Sequence, residues 1–307
     1  MVGSQGFAPD PRNERVQIWL NGELVPRAEA HVSVFDAGFV LGDGVWEGLR
    51  LVNGRFAFLD LHLDRLFAAA RALAIALQLD RAALTRALYD TVRANGMTDG
   101  VHVRLMVTRG IKMTPSQDPR STAGKPTVVI VAEYKEPPAE IRSRGLTLVT
   151  STYRTSTPDV FDMQLNTHSR LNFIQALLQV AGVGADEALM LDTRGFVASC
   201  NATNFFAVRG GEVITSSGRY CFKGITRGQV VALCRANGIP VSERDFTLAE
   251  AYNADEAFVT GTFGGVMPVA ALDGRRLGKV PGPVTEQLAG LYHDLMSAEC
   301  AAGPPAG

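Results

Sequence analysis

The chain has 307 residues, 46% of them apolar and 20% charged, a globular composition with enough length for two domains of ordinary size. Its formal net charge is -1 and its arginines are scattered, so no basic surface exists to neutralise phosphate backbones and nucleic acid is excluded as a general partner. No apolar stretch is long enough to span a bilayer, and four cysteines without CxxC pairing or metal-ligand spacing exclude a metal centre and read as reduced, mostly buried thiols.

Residues 1–14 are polar and rich in Gly and Pro, without the charged-then-apolar order of a signal peptide. They read as a disordered leader to a cytoplasmic protein. The first ordered feature is a hairpin, 16–20 and 23–25 around Asn21-Gly22, because both turn positions need positive φ. The same device recurs within 49–58 at Asn53-Gly54. Leu66, Phe67, Ala70, Leu73 and Leu77 then recur at helical spacing, and a second helix is expected from about Asp80 to Asn95, closed by Gly96. Strands at 101–108 and 127–132 flank a polar loop, 109–125. Within it Lys112 reads as a solvated loop lysine.

The charged, proline-bearing segment 136–145 reads as an interdomain linker, which makes 15–135 a small α+β domain and 146–299 a larger one. The larger part is expected to hold strands at 146–152, 187–191, 196–198, 204–208 and 256–260, with helices at 171–181, 227–237 and 283–298. Residues 300–307 read as a disordered tail. Short strands outnumber helices and no βαβ alternation is visible, so the fold class is α+β with mixed or antiparallel barrels rather than a Rossmann-type sheet.

Three weak signals for chemistry stand in this order. His62-Leu63-Asp64-Arg65-Leu66 offers a guanidinium fork on a helix, although a surface arginine is the commoner case. Gly224-Ile225-Thr226-Arg227-Gly228 precedes a helix whose N-terminal amides and dipole favour an anion, and equally reads as a cap without a ligand. Gly261-Thr262-Phe263-Gly264-Gly265 is a second glycine-flanked threonine, at a strand end.

Together with the run from Phe35 through Asp43-Gly44-Val45-Trp46-Glu47-Gly48-Leu49-Arg50, and with Gly195 to Val208, these blocks resemble the class IV (fold-type IV) pyridoxal-phosphate aminotransferases. The resemblance covers roughly residues 16–290 in ordered blocks, and the branched-chain and D-amino-acid aminotransferases share that fold. It implies a small α+β domain beside a larger pseudo-barrel domain, a cleft between them, and a homodimer acting on a small molecule. It also implies a phosphate cup of Arg65, Ile225, Thr226 and Thr262, with Trp46, Arg50 and Phe173 on the substrate side.

Two positions depart from the family pattern. The lysine that carries the cofactor lies three or four residues before a helix-opening asparagine, and before Asn172 those places hold Ser169 and His168. The glutamate facing the pyridine nitrogen falls at Ser199. Five lysines exist in the chain, and of them Lys223 and Lys112 are the candidates for a displaced anchor.

Three functions follow. One is an enzyme that keeps the phosphate cup without a tethering lysine, with pyridoxal 5'-phosphate noncovalent or absent, His168 as acid or base and Arg170 holding a substrate carboxylate. The second is an ordinary transaminase using Lys223. The third is a binder of a phosphorylated small molecule without turnover.

Overall fold

The computed structural model describes residues 3–304, and among them the chain divides into two compact units. Of the described residues, one unit comprises 9–136 with 165–169 and 299–304, and the other 3–8, 137–164 and 170–298. The division falls at 136/137, at the edge of the segment read as a linker. That segment contains a short helix, Glu140–Arg144.

The first unit runs β1 (Gln17–Leu20), β2 (Glu23–Pro26), α1 (Ala37–Leu41), β3 (Gly44–Val52), β4 (Arg55–Phe56), α2 (Leu59–Ala72), α3 (Arg81–Ala94), β5 (Val101–Thr108) and β6 (Val128–Tyr134). Its six strands are ordered β2-β1-β6-β5-β3-β4 and all pairs are antiparallel. Asn21 and Asn53 hold the positive φ that the Asn-Gly turns require. Asp80 caps α3 by accepting a hydrogen bond from the Ala83 amide. The alternating residues Val45, Leu49 and Leu51 of β3, with Val101, Val103 and Leu105 of β5, pack against Leu63, Leu66, Leu84 and Leu88 of the two helices. A strand has period two, so Glu47 falls on this same buried face.

Of the N-terminal stretch, residues 9–14 belong to this unit, as do the described residues of the C-terminal tail. Pro11–Arg15 forms a 3₁₀ turn in which Asn13 exchanges two hydrogen bonds with the backbone of Tyr134. Buried Cys300 accepts a bond from Asn53 through its carbonyl, and Gly303 accepts one from Arg55. These backbone partners are what a reading of local composition cannot see. The rest of the tail, 305–307, and residues 1–2 lie outside the described residues.

The second unit runs α4 (Glu140–Arg144), β7 (Leu146–Thr150), α5 (Leu171–Ala181), β8 (Glu187–Leu191), β9 (Val197–Cys200), β10 (Asn204–Arg209), β11 (Glu212–Thr215), α6 (Ile225–Ala236), β12 (Val241–Glu243), α7 (Leu248–Tyr252), β13 (Glu256–Gly261), β14 (Gly265–Leu272), β15 (Arg275–Arg276) and α8 (Pro283–Glu299). Its nine-stranded sheet is ordered β12-β11-β10-β13-β14-β7-β8-β9, with β15 on β14. The sheet is mixed: β7 runs parallel to both β8 and β14, and β11 to β12, while the remaining pairs are antiparallel. With the six-stranded sheet, this is the α+β organisation that the strand count and missing βαβ repeat imply. Leu189, Leu191, Cys200, Phe205 and Val259 belong to one core cluster, and Phe173, Ala176, Val180, Ala188 and Met190 to another. All four cysteines are free and buried. Among the described residues no helix is long and apolar enough to cross a membrane.

Candidate functional site

In the first unit the buried carboxylate of Glu47 meets two side chains from α2, Arg65 and His62. Arg65 Nε donates to Oε1 at 2.8 Å and Arg65 Nη2 to Oε2 at 2.7 Å, while His62 Nδ1 stands 2.7 Å from Oε2. His62 and Arg65 lie three apart on α2 and therefore project from one face. Burial works against the Glu47 carboxylate, yet the hydrogen bonds from Arg65 and His62 outweigh it and hold the group below the usual carboxyl range. Arg65 is thus an oriented guanidinium and not a loose surface side chain.

The other face of this sheet is cationic. Register places Arg50 opposite His102 and Gly48 opposite Arg104. The Arg104 guanidinium lies 3.3 Å from the Trp46 ring centre, a cation–π contact, and Trp46 Nε1 donates to the Thr167 carbonyl. Arg50 donates to the Lys135 carbonyl at 2.8 Å and stands 3.7 Å from the Glu136 carboxylate. His102 is pushed down to about 3 by burial and by the charges of Arg50, Lys135 and Arg104, so its ring is neutral. Gly48 is what lets that ring cross β3, because a Cβ there would stand 3.1 Å from it. Sequence reasoning named Trp46 and Arg50 and missed His102 and Arg104. Alternation along β5 opposite those residues was the available signal.

Residues 165–169 run beside the start of β3. Trp46 and Asn166 exchange hydrogen bonds, the Ser169 hydroxyl donates to the Gly42 carbonyl, and the His168 amide donates to the Gly44 carbonyl. The His168 ring is half-buried and its Nε2 lies 3.1 Å from the Val45 carbonyl. A carbonyl only accepts, so Nε2 is the nitrogen that donates in this contact.

Lys112 corrects an expectation. It is 2% exposed rather than solvated, because the loop folds back on itself at a Lys112–Thr122 bridge and its ammonium donates to the Asp118 carbonyl at 2.9 Å. It therefore ties its own loop together.

In the second unit α6 begins at Ile225, two residues before the expected start, so Ile225 and Thr226 lie in its first turn. Gly224 is the N-cap, and no side chain caps the first-turn amides. The first helical bond runs from the Gly228 amide to the Gly224 carbonyl, which leaves the amides of 225–227 without helical acceptors. The side chains around them are anchored. Thr226 is 2% exposed and shares a 3.2 Å hydrogen bond with the Tyr292 hydroxyl of α8, and Arg227 donates to the Ser216 carbonyl and to Glu243. Thr226 is expected to contribute its hydroxyl to a ligand; in the structure that hydroxyl also bonds the Tyr292 hydroxyl and so fastens α6 to α8. Thr262 lies half-buried in the turn between β13 and β14.

Ser199 is buried on β9 opposite Met190, and its hydroxyl donates to the Cys200 carbonyl. On the opposite face of that ribbon Glu187 is fully buried, accepts the Thr203 hydroxyl at 2.6 Å through Oε2, and has no partner at Oε1. Burial pushes its carboxyl up to about 7. Arg170 stands 5.1 Å from the Phe173 ring centre and 5.7 Å from that of Phe222. Phe173, expected to face substrate, packs inward against Ala176, Val180 and Met190, as an apolar helix face does against a sheet. Lys223 is exposed and its stem runs along Gly218. No group of three His, Cys, Asp or Glu that could hold a metal ion occurs among the described residues.

A family profile described as amino-transferase class IV matches residues 44–272. The branched-chain-amino-acid aminotransferase-like protein 2 of Arabidopsis thaliana is 40% identical over 288 residues, which are 94% of this chain and 51% of that protein. The chain thus spans about half the length of that relative. A putative branched-chain-amino-acid aminotransferase of Methanocaldococcus jannaschii is 36% identical over 91% of this chain and 96% of its own length. Among solved structures, the branched-chain aminotransferase from the thermophilic archaeon Thermoproteus uzoniensis with norvaline matches with a TM-score of 0.83 and 29% identity, covering 93% of this chain and 96% of that one.

Proposed function

The chain belongs to the class IV amino-transferase family, and from that premise we propose that it binds pyridoxal 5'-phosphate, or another phosphate monoester, without a covalent tether to lysine. Its substrate is a small carboxylate or amino-acid-like compound. The observation that carries this reading is the segment 165–173, which has no ammonium group and presents His168 instead.

The residues fit the phosphate end of such a ligand and not the tether. The unused amides of Ile225, Thr226 and Arg227 suit the oxygens of a dianion. Ser199 offers a hydroxyl where a ring-facing carboxylate is expected. Arg65 is a separate oriented cation of the first unit, and its contribution to phosphate affinity is read by Arg65→Lys. When bound, pyridoxal phosphate supplies a ring that withdraws electrons from the carbon bearing the amino group. We assign the proton transfer to the His168 imidazole, whose ring the Val45 carbonyl holds through Nε2. Arg170 is assigned to the substrate carboxylate.

Absorbance and intact mass after mixing with pyridoxal phosphate, with and without borohydride, test the reading. Colour that dialysis removes and an unchanged mass after reduction are expected. A reduced adduct on Lys223 would establish conventional transamination in its place; binding with no turnover of any amino donor would leave only the binder. The same proposal includes a homodimer, to be measured by light scattering.

A further inference from the structure

We infer that Asn204 is the positioning residue that sets the α6 N-terminus for a phosphate, an inference that rests on the phosphate reading above. Asn204 opens β10, is 5% exposed, and spans from the strand to the loop before α6 with both ends of its amide. Its Nδ2 donates to the Phe222 carbonyl at 2.7 Å, and its Oδ1 accepts from the Gly224 amide at 3.2 Å. The approach is close enough to demand glycine at 224, where a Cβ would stand 2.4 Å from Oδ1.

The consequence lies in which amide is taken. A capping side chain would consume an amide of the first turn. Asn204 consumes the amide of the N-cap residue itself, so the helix start is held rigidly while the amides of 225–227 stay available. A second feature marks the same place. Thr260, 1% exposed, lies directly across the ladder from Asn204, on the same face, and its buried hydroxyl has no hydrogen-bond partner. A clamp of this kind fixes amide directions in advance, and preorganised donors bind an anion without reorganising.

The test compares dissociation constants for pyridoxal phosphate and for pyridoxal, which lacks the phosphate, in the full chain. Wild type should prefer the phosphorylated compound. Asn204→Ala should weaken pyridoxal phosphate about tenfold and leave pyridoxal unchanged. Gly224→Ala, whose backbone φ of −61° accepts alanine, disturbs the clamp from the loop side and should lower the same ratio even where Asn204→Ala does not fold. Thr215→Val, which removes a buried hydroxyl bond to the Phe205 carbonyl on the same sheet, should lower melting temperature without moving the ratio. A wild-type chain with no preference defeats the phosphate reading itself. A preference that survives both Asn204→Ala and Gly224→Ala overturns the role of Asn204 alone.

Discussion

Glu47 holds Arg65 along one edge of its guanidinium, with two hydrogen bonds of 2.8 and 2.7 Å reaching from a buried strand position to a helix. The pair is more than a surface ion pair, because Glu47 is fully buried and Arg65 largely so. Removing one member leaves a buried charge uncompensated, which costs about 3–5 kcal/mol, whereas exposed pairs are worth about 1 kcal/mol or less.

Glu47→Ala is therefore expected to lower unfolding free energy in that larger range by urea denaturation. Glu47→Gln, which keeps the shape but not the charge, should fall between it and wild type. Because Glu47 is held below its ordinary pKa, the stability it adds is present above the usual carboxyl range and fades as pH falls through the lowered value. A loss under about 1 kcal/mol for Glu47→Ala would mean the network contributes no more than a solvated pair.

Glu187 acts in the opposite sense. Its carboxyl sits at about 7 in the folded chain against an ordinary 4.5, so between those values the folded protein keeps a proton that the unfolded chain has released. Stability should fall as pH rises from about 4.5 to about 7 and then level. Glu187→Gln cannot ionise and still accepts the Thr203 hydroxyl, so at about pH 8 it should be more stable than wild type by roughly 1–3 kcal/mol. Urea midpoints at about pH 5 and about pH 8 decide the matter. An equal difference at both would show that the buried carboxyl does not titrate in this window.

His168→Ala should abolish turnover of an active substrate while pyridoxal phosphate affinity changes by about twofold or less. The ring is half-buried and bonds to the Val45 carbonyl, so a melting temperature measured on the variant separates lost chemistry from lost stability. An unchanged rate would remove His168 from the mechanism.

Lys112→Met should loosen the loop 109–125 without unfolding the unit around it. The ammonium's bond to the Asp118 carbonyl links two points within that loop, and a charge-assisted bond of this kind contributes about 1.5–3 kcal/mol. Hydrogen exchange of the amides of Met113 and Ser121 should quicken, while those of β5 stay protected. Uniform protection in the variant would show the loop to be held by its backbone bonds alone.

The lesson about legibility lies in particular elements. Local chemistry sufficed where it acted over a turn or a strand: the Asn-Gly hairpins, the Asp80 cap of α3, and α5, whose apolar spacing marked 171–181 to the residue. It failed where a distant partner set the outcome. The Glu140–Arg144 helix hid in the charged stretch read as a linker, and β14 went unread; its Pro268, a residue uncommon in central strands, sits opposite Phe258 in the ladder. α6 starts two residues earlier than expected, after a Gly224 whose amide is bonded by Asn204, twenty residues away.

Sequence alone determined the α+β class, the family resemblance, the blocks with phosphate-binding character and the absence of lysine from 165–173, since each is a matter of residue type and spacing. Tertiary structure alone decided what those residues touch. It turned Arg65 toward Glu47, gave the Thr226 hydroxyl to Tyr292, buried Lys112 and Phe173, and raised Glu187 to about 7. Burial and hydrogen-bond partners come from chain segments far apart in sequence, and no local pattern encodes which of them will meet.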